Sequence, residues 1–207
     1  MLKVGITGEL GAGKSFISKL FVAKGVPYYN CDDNSKKLLI TNPDLIESIK
    51  AEFGETIYEG NVYKNLSNLV FLKDDDTKLK KLVSIIDPFI YADIDKFYSE
   101  NKDSKWCLIE TATLFETEMD KQLDRIIYVY VPKKIRLQRA YERSGLTSED
   151  YDNRMKKQID SLTKIKKSDY IISNYDDFNI LEMVDTIWEH LTNRDPEKYV
   201  FKRLTNF

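Results

Sequence analysis

The chain is poor in the residues that build disulfide frameworks, metal clusters and histidine-based catalysis. Among 207 residues there are two cysteines, Cys31 and Cys107, and one histidine, His190. Two cysteines so far apart make neither a disulfide scaffold nor a zinc motif. A single histidine argues against a His-based zinc site or a Ser-His-Asp triad, and His190 falls in a late amphipathic stretch where a structural role is expected. No apolar run approaches the roughly 20 residues that span a bilayer. The strand-like run Leu2–Thr7 begins at once and leaves no room for a signal peptide, so the expectation is a cytoplasmic protein without a membrane partner. There is no internal repeat and no low-complexity linker. One domain over 1–207 is expected.

Hydrophobic residues make up 42% and charged residues 32%, which suits a packed core and excludes wholesale disorder. The net charge is −2, but its distribution is uneven. Between Lys133 and Lys167 eleven Lys or Arg face five acids, giving +6 there and −8 elsewhere. A basic segment on an acidic body suits a local phosphate grip or a solvated helix face. It lacks the broad positive surface of a nucleic-acid binder.

The patterning is that of an α/β protein. Apolar strand-like runs occur at 2–7, 26–30, 106–111, 125–131 and 169–173. Helical periodicity appears at 14–24, over most of 43–101, at 133–143, 148–160 and 177–192. A strand, loop, helix and second strand at the start open a parallel sheet. Pro88 inside the run from Leu79 to Ile90 predicts a kink or boundary near Asp87. Thr147 and Asp150 are spaced as a capping box. The polar tail after Asn193 has no assigned role.

One motif carries the chemistry. Gly8-Glu9-Leu10-Gly11-Ala12-Gly13-Lys14-Ser15 matches G-x-x-x-x-G-K-[ST] in full, after an apolar strand and at the start of a helix. Glycines let successive N–H groups turn toward a phosphate, and the helix start adds its positive dipole end. Lys14 is placed for the β- and γ-phosphates, and the Ser15 hydroxyl is a hard oxygen ligand for Mg²⁺. Gly8 to Phe16 is therefore the expected ATP-binding segment. A guanine-specific GTPase needs N-K-x-D after a strand; the nearest string, Asn101-Lys102-Asp103-Ser104, has the wrong spacing and sits in a polar loop.

Asp32 follows the second strand at the sheet edge where α/β ligands bind. It could take the proton of an attacking hydroxyl, hold a metal-bound water, or cap the next helix, the role expected of Asp33. Glu110 at the end of the third strand could reach Mg²⁺ through water or be structural. Arg136, Arg139 and Arg143 share one helical face, with Arg154 on the next helix. They suit a lid over 133–160 that neutralises phosphoryl oxygens and excludes water.

These residues resemble the dephospho-coenzyme A kinase family over nearly the whole chain. The likeness rests on Val4 to Ser15, Gly25-Val26-Pro27, Asn30-Cys31-Asp32, Phe53-Gly54, Gly60, Phe71 and Leu114-Phe115-Glu116. It continues through Arg139, Arg143, Arg154, Gln158 and Ser168 to Asn174. It implies a three-layer P-loop fold with a parallel sheet, a helical acceptor-binding insertion near 60–100, a helical lid, and a core of about 1–35, 104–132 and 165–192. The implied reaction moves the ATP γ-phosphoryl to the ribose 3′-hydroxyl of dephospho-coenzyme A, with Asp32 as base, Lys14 and Arg139 as charge stabilisers and Asn174 beside adenine. Lys64, Phe71, Asp87, Leu114 and Arg143 fall on the implied acceptor side with Asp32. Asn30, Lys64, Asp87, Glu110, Ala112 and Arg136 depart from the family pattern. A nucleoside monophosphate kinase of the same fold and a non-catalytic ATP-binding protein remain the alternatives.

Overall fold

A computed structural model describes residues 1–71, 76–156, 158–176 and 178–193; the tail after residue 193 lies outside the described residues. The chain divides into two compact units, 30–100 and the remainder.

The larger unit is built on a five-stranded sheet. Its strands are β1 (Leu2–Thr7), β2 (Tyr28–Asn30), β3 (Trp106–Glu110), β4 (Arg125–Tyr130) and β5 (Tyr170–Ser173). Their order is β2-β3-β1-β4-β5, and the β1–β3, β1–β4 and β4–β5 ladders are parallel. Four of the six residues of β1, all five of β3 and four of the six of β4 are buried, as expected of strands covered on both faces. Helix α1 (Lys14–Ala23) supplies Ile17 and Phe21, and the last helix of the unit (Ile180–Asn193) supplies Val184, Ile187 and Leu191. These side chains share one core with Val4, Ile6, Leu108, Ile127, Val129 and Ile172. Phe21 meets the edge of Trp106 at 5.5 Å between ring centroids. A smaller cluster joins Leu114, Phe115 and Ile126, with Leu123 and Ile159 against it.

The smaller unit is helical: α2 (Cys31–Thr41), α3 (Pro43–Phe53), α4 (Val62–Phe71) and α5 (Asp76–Glu100). Leu39, Leu45, Ile49, Ile57, Val62, Leu66 and Leu82 form its own core. It begins at Asn30, so α2 and α3 join the helical region placed near 60–100. Pro88 does not end a helix: α5 runs through it for 25 residues. Pro88 and Ser84 are both exposed, so water can serve the Ser84 carbonyl that has lost its helical donor. No helix among the described residues is long and apolar enough to cross a membrane.

Back in the larger unit, β4 leads to α6 (Lys133–Ser144), α7 (Ser148–Met155) and α8 (Ser161–Lys167); the helix over 180–193 is α9. The Thr147 side chain caps α7 from outside, accepting from Asp150 N and donating to Asp150 Oδ2 at 2.7 Å. The single helix expected over 148–160 is shorter, and α8 was not expected. Asp160 starts it by accepting from Thr163 N at 3.0 Å, an N-cap signal hidden in a run of lysines.

Lys164 of α8 has no exposed surface. Its ammonium lies 2.9 Å from Glu116 Oε1 and donates to Gln158 Oε1 at 3.2 Å and the Ala112 carbonyl at 3.4 Å. Glu116 Oε1 also accepts from Ile159 N at 2.8 Å. Removing the ammonium strands a carboxylate in the interior. Lys164→Met is therefore expected to lose about 3–5 kcal/mol of stability, the scale for breaking a buried pair. Urea unfolding measures it, and a loss below about 1 kcal/mol would show that the pair is not a structural fastener.

Candidate active site

The phosphate loop follows the central strand β1 and opens α1. Gly11 and Gly13 have φ of 84° and 82°, a region open to glycine and strained for other residues. Space enforces the same choice, since a Cβ on Gly11 would stand 2.5 Å from the Arg136 carbonyl and one on Gly13 would strike the Asn174 amide. The Gly13 carbonyl accepts from Phe16 N and Ile17 N at 3.1 and 3.2 Å, so the helix begins within the motif. Lys14 Nζ donates to the Gly8 carbonyl at 2.8 Å, which carries its charge back across the loop.

Ser15 Oγ donates to Glu110 Oε1 at 2.7 Å. Glu110 is buried at the end of β3, and its Oε2 accepts from Ser18 Oγ at 2.7 Å and Tyr28 Oη at 2.6 Å. The hydroxyls of Ser18 and Tyr28 thus hold the carboxylate against Ser15, the residue that suits a Mg²⁺ ligand. Hydroxyl and carboxylate are both hard oxygen donors, so this pair fits Mg²⁺ chemically.

Glu9 is not a solvent-facing spacer in the loop. Its carboxylate is buried, accepting from Tyr128 Oη on Oε2 and from Ser161 Oγ on Oε1 at 2.6 Å. Arg136 Nη1 lies 3.6 Å from Oε2. Burial, followed by the Glu9 charge, pushes the Tyr128 phenol well above its ordinary range, so it stays a donor. Arg136 is spent inside this cluster. Its Nε donates to the Val131 carbonyl at 2.9 Å and its Nη1 to Tyr151 Oη at 2.7 Å. This corrects its place among the phosphate-gripping arginines. Burial at the foot of α6 turns its guanidinium inward.

Arg139, one turn on, is half-buried and donates to the Asn174 carbonyl at 3.0 Å. Asn174 follows β5, and its amide donates to the Ala12 carbonyl at 2.8 Å. The structure therefore joins Arg139, Asn174 and the loop. Tyr175 stands next, its ring 5.8 Å from Tyr130 and 4.9 Å from Phe178 between centroids, an aromatic group that the sequence reading did not single out. Arg143 and Arg154 are exposed.

Leu114 is corrected as an acceptor contact. It is fully buried with Phe115 and Ile126, and a Cβ on Gly5 would stand 2.6 Å from it, so its side chain fills the core under β1.

In the helical unit Asp32 is exposed in the first turn of α2. The cap is neither Asp32 nor Asp33: Asn30 Oδ1 accepts from Asp33 N at 3.1 Å, so Asn30 initiates the helix. Lys64 is exposed on α4. Asp87 is half-buried on α5, and burial raises its carboxyl above the usual range. Phe71 closes α4, but its side chain lies outside the described residues.

A family model described as dephospho-CoA kinase matches residues 2–179. Among curated proteins, the dephospho-CoA kinase of Aquifex aeolicus is 32% identical over 200 residues, covering 95% of this chain and all of the relative. That of Arabidopsis thaliana is 33% identical over 176 residues, covering 83% of this chain and 75% of the relative. A crystal structure from Thermus thermophilus superposes with a TM-score of 0.79 at 26% identity, covering 90% of this chain and 95% of that one. The dephospho-CoA kinase of Campylobacter jejuni shares the fold, with a TM-score of 0.67 at 24% identity over 93% of this chain and 98% of that one.

Proposed function

The chain belongs to the dephospho-CoA kinase family, and on that premise we propose how its residues move the γ-phosphoryl of ATP to the ribose 3′-hydroxyl of dephospho-coenzyme A, the last step of coenzyme A synthesis. The observation that carries this is the phosphate loop, with Lys14 bridging it and Ser15 held on Glu110, in a chain matched from residue 2 to 179.

Phosphoryl transfer needs little covalent help from a protein and much positioning and charge neutralisation. The N–H groups from Gly11 to Ser15 cradle the phosphates, with Glu9, Leu10, Ala12 and Phe16 completing the segment. Lys14 and Arg139 offset charge on the transferring oxygens. Asn174 holds the loop beside the adenine, and the Tyr175 and Phe178 rings offer stacking faces next to it. Ser15, with Glu110 behind it, would hold Mg²⁺, which supplies neutralisation of phosphate charge. Asp32 takes the proton of the attacking hydroxyl. Lys64, Asp87 and Arg143 are assigned to binding the acceptor. Helices α6 and α7 act as the lid that keeps water from the phosphoryl group.

The test is ADP release with ATP and Mg²⁺, offering dephospho-coenzyme A beside AMP, CMP, dTMP, dGMP and adenosine. Turnover with dephospho-coenzyme A alone is expected. Preference for a monophosphate would overturn the acceptor and leave the ATP site, pointing to Asn30, Lys64 and Asp87 as the retuned positions.

A further inference from the structure

Three contacts on the phosphate loop come from the polypeptide between Tyr128 and Ser161. Glu9 is gripped by Tyr128 and Ser161. Gly11 sits against the Arg136 carbonyl, too close for any Cβ. Between them, the Leu10 carbonyl accepts from Tyr151 Oη at 3.1 Å. Tyr151 is a buried residue of α7, the helix assigned to the lid. Its hydroxyl accepts from Arg136 Nη1 at 2.7 Å, and its ring lies 5.9 Å from the guanidinium carbon. One hydroxyl thus has one donor and one acceptor, a fixed orientation with the Arg136 fork on one side and loop backbone on the other.

The chemistry of the loop depends on peptide orientation. The peptide between Leu10 and Gly11 has its carbonyl at one end and the Gly11 N–H at the other. Holding the carbonyl against Tyr151 directs that N–H away from Tyr151. We propose that Tyr151 is a positioning residue of the phosphate loop: held by Arg136, its hydroxyl fixes the Leu10 carbonyl, sets the loop N–H groups for a nucleotide β-phosphate and ties the seating of α7 to that of the loop. The proposal rests on the reading of this loop as the ATP site, and needs no assumption about the acceptor.

Tyr151→Phe keeps the ring and deletes both hydrogen bonds. ADP affinity, read by calorimetry without acceptor, is expected to fall about tenfold, the factor set by one hydrogen bond of ordinary strength. The KM for dephospho-coenzyme A should stay within about twofold, because the loss lies on the nucleotide side. Arg136→Lys keeps a charge near Glu9 but loses the fork that holds Tyr151, and is expected to weaken ADP similarly. The double variant should lose less than the product of the two single losses, since part of the Arg136→Lys effect acts through Tyr151 and the Leu10 carbonyl. ADP affinity within twofold of wild type in Tyr151→Phe, or losses that multiply in the double variant, would overturn the proposal. Should Tyr151→Phe fail to fold, Arg136→Lys decides alone: unchanged ADP affinity rejects the tie. A wild type that binds ADP but ignores dephospho-coenzyme A would sink the acceptor assignment and leave this test standing.

Discussion

Lys14→Ala is expected to lower kcat by about 10²–10³, the effect of removing one preorganised charge-stabilising donor from a transition state. The residue opens α1, where alanine is the better helix former, and is only partly buried, so the fold has little reason to change. What is lost is a cation held across the loop, 2.8 Å from the Gly8 carbonyl. Such a group spends little free energy on reorganisation when the phosphoryl group moves. Lys14→Met separates charge from shape, because it keeps most of the side-chain volume and should lose nearly as much rate. Steady-state turnover at saturating ATP and acceptor measures both, with urea midpoints as the control for folding. Turnover within about twofold of wild type in either variant would mean that the loop binds phosphate without contributing to the step.

The loop was legible because its requirements are local. Backbone N–H groups, glycines at positive φ, a lysine and a hydroxyl must occur at fixed spacing, and spacing is what a sequence records. Strands β1, β3 and β4 were legible for a related reason: buried on both faces, they read as continuous apolar runs. The roles of Arg136, Glu9 and Lys164 were hidden. A charged side chain on an amphipathic helix reads the same whether it meets solvent, a phosphate or a buried partner. Only the tertiary arrangement places Arg136 at 3.6 Å from Glu9 and Lys164 at 2.9 Å from Glu116. One signal pointed toward the first pair: an acidic residue inside an anion-binding loop, which must be neutralised. Leu114 was misplaced because the resemblance that put it on the acceptor side says nothing about which way its side chain turns. Glu110 was left between two roles, and the structural one rests on contacts from distant parts of the chain. The hydroxyls of Ser18 and Tyr28 fix its carboxylate, and that fixed carboxylate holds Ser15.

Asp32→Asn is expected to keep ATP affinity within about twofold and to lower kcat by about 10²–10⁴, the usual contribution of a positioned base. The substitution is nearly isosteric, and Asn30, not Asp32, caps α2, so helix initiation survives it. An amide can still hydrogen-bond the acceptor hydroxyl, which preserves orientation, but its oxygen cannot retain the proton that leaves as the new phosphate ester forms. Rate should therefore fall while the KM for dephospho-coenzyme A moves little, the mark of an interaction made in the transition state and not in the ground state. The opposite pattern, weaker ATP binding with an unchanged rate at saturation, would remove Asp32 from proton transfer and assign its carboxylate to holding the nucleotide or its metal. The two outcomes differ in which parameter moves, so one set of saturation curves in both substrates decides between them.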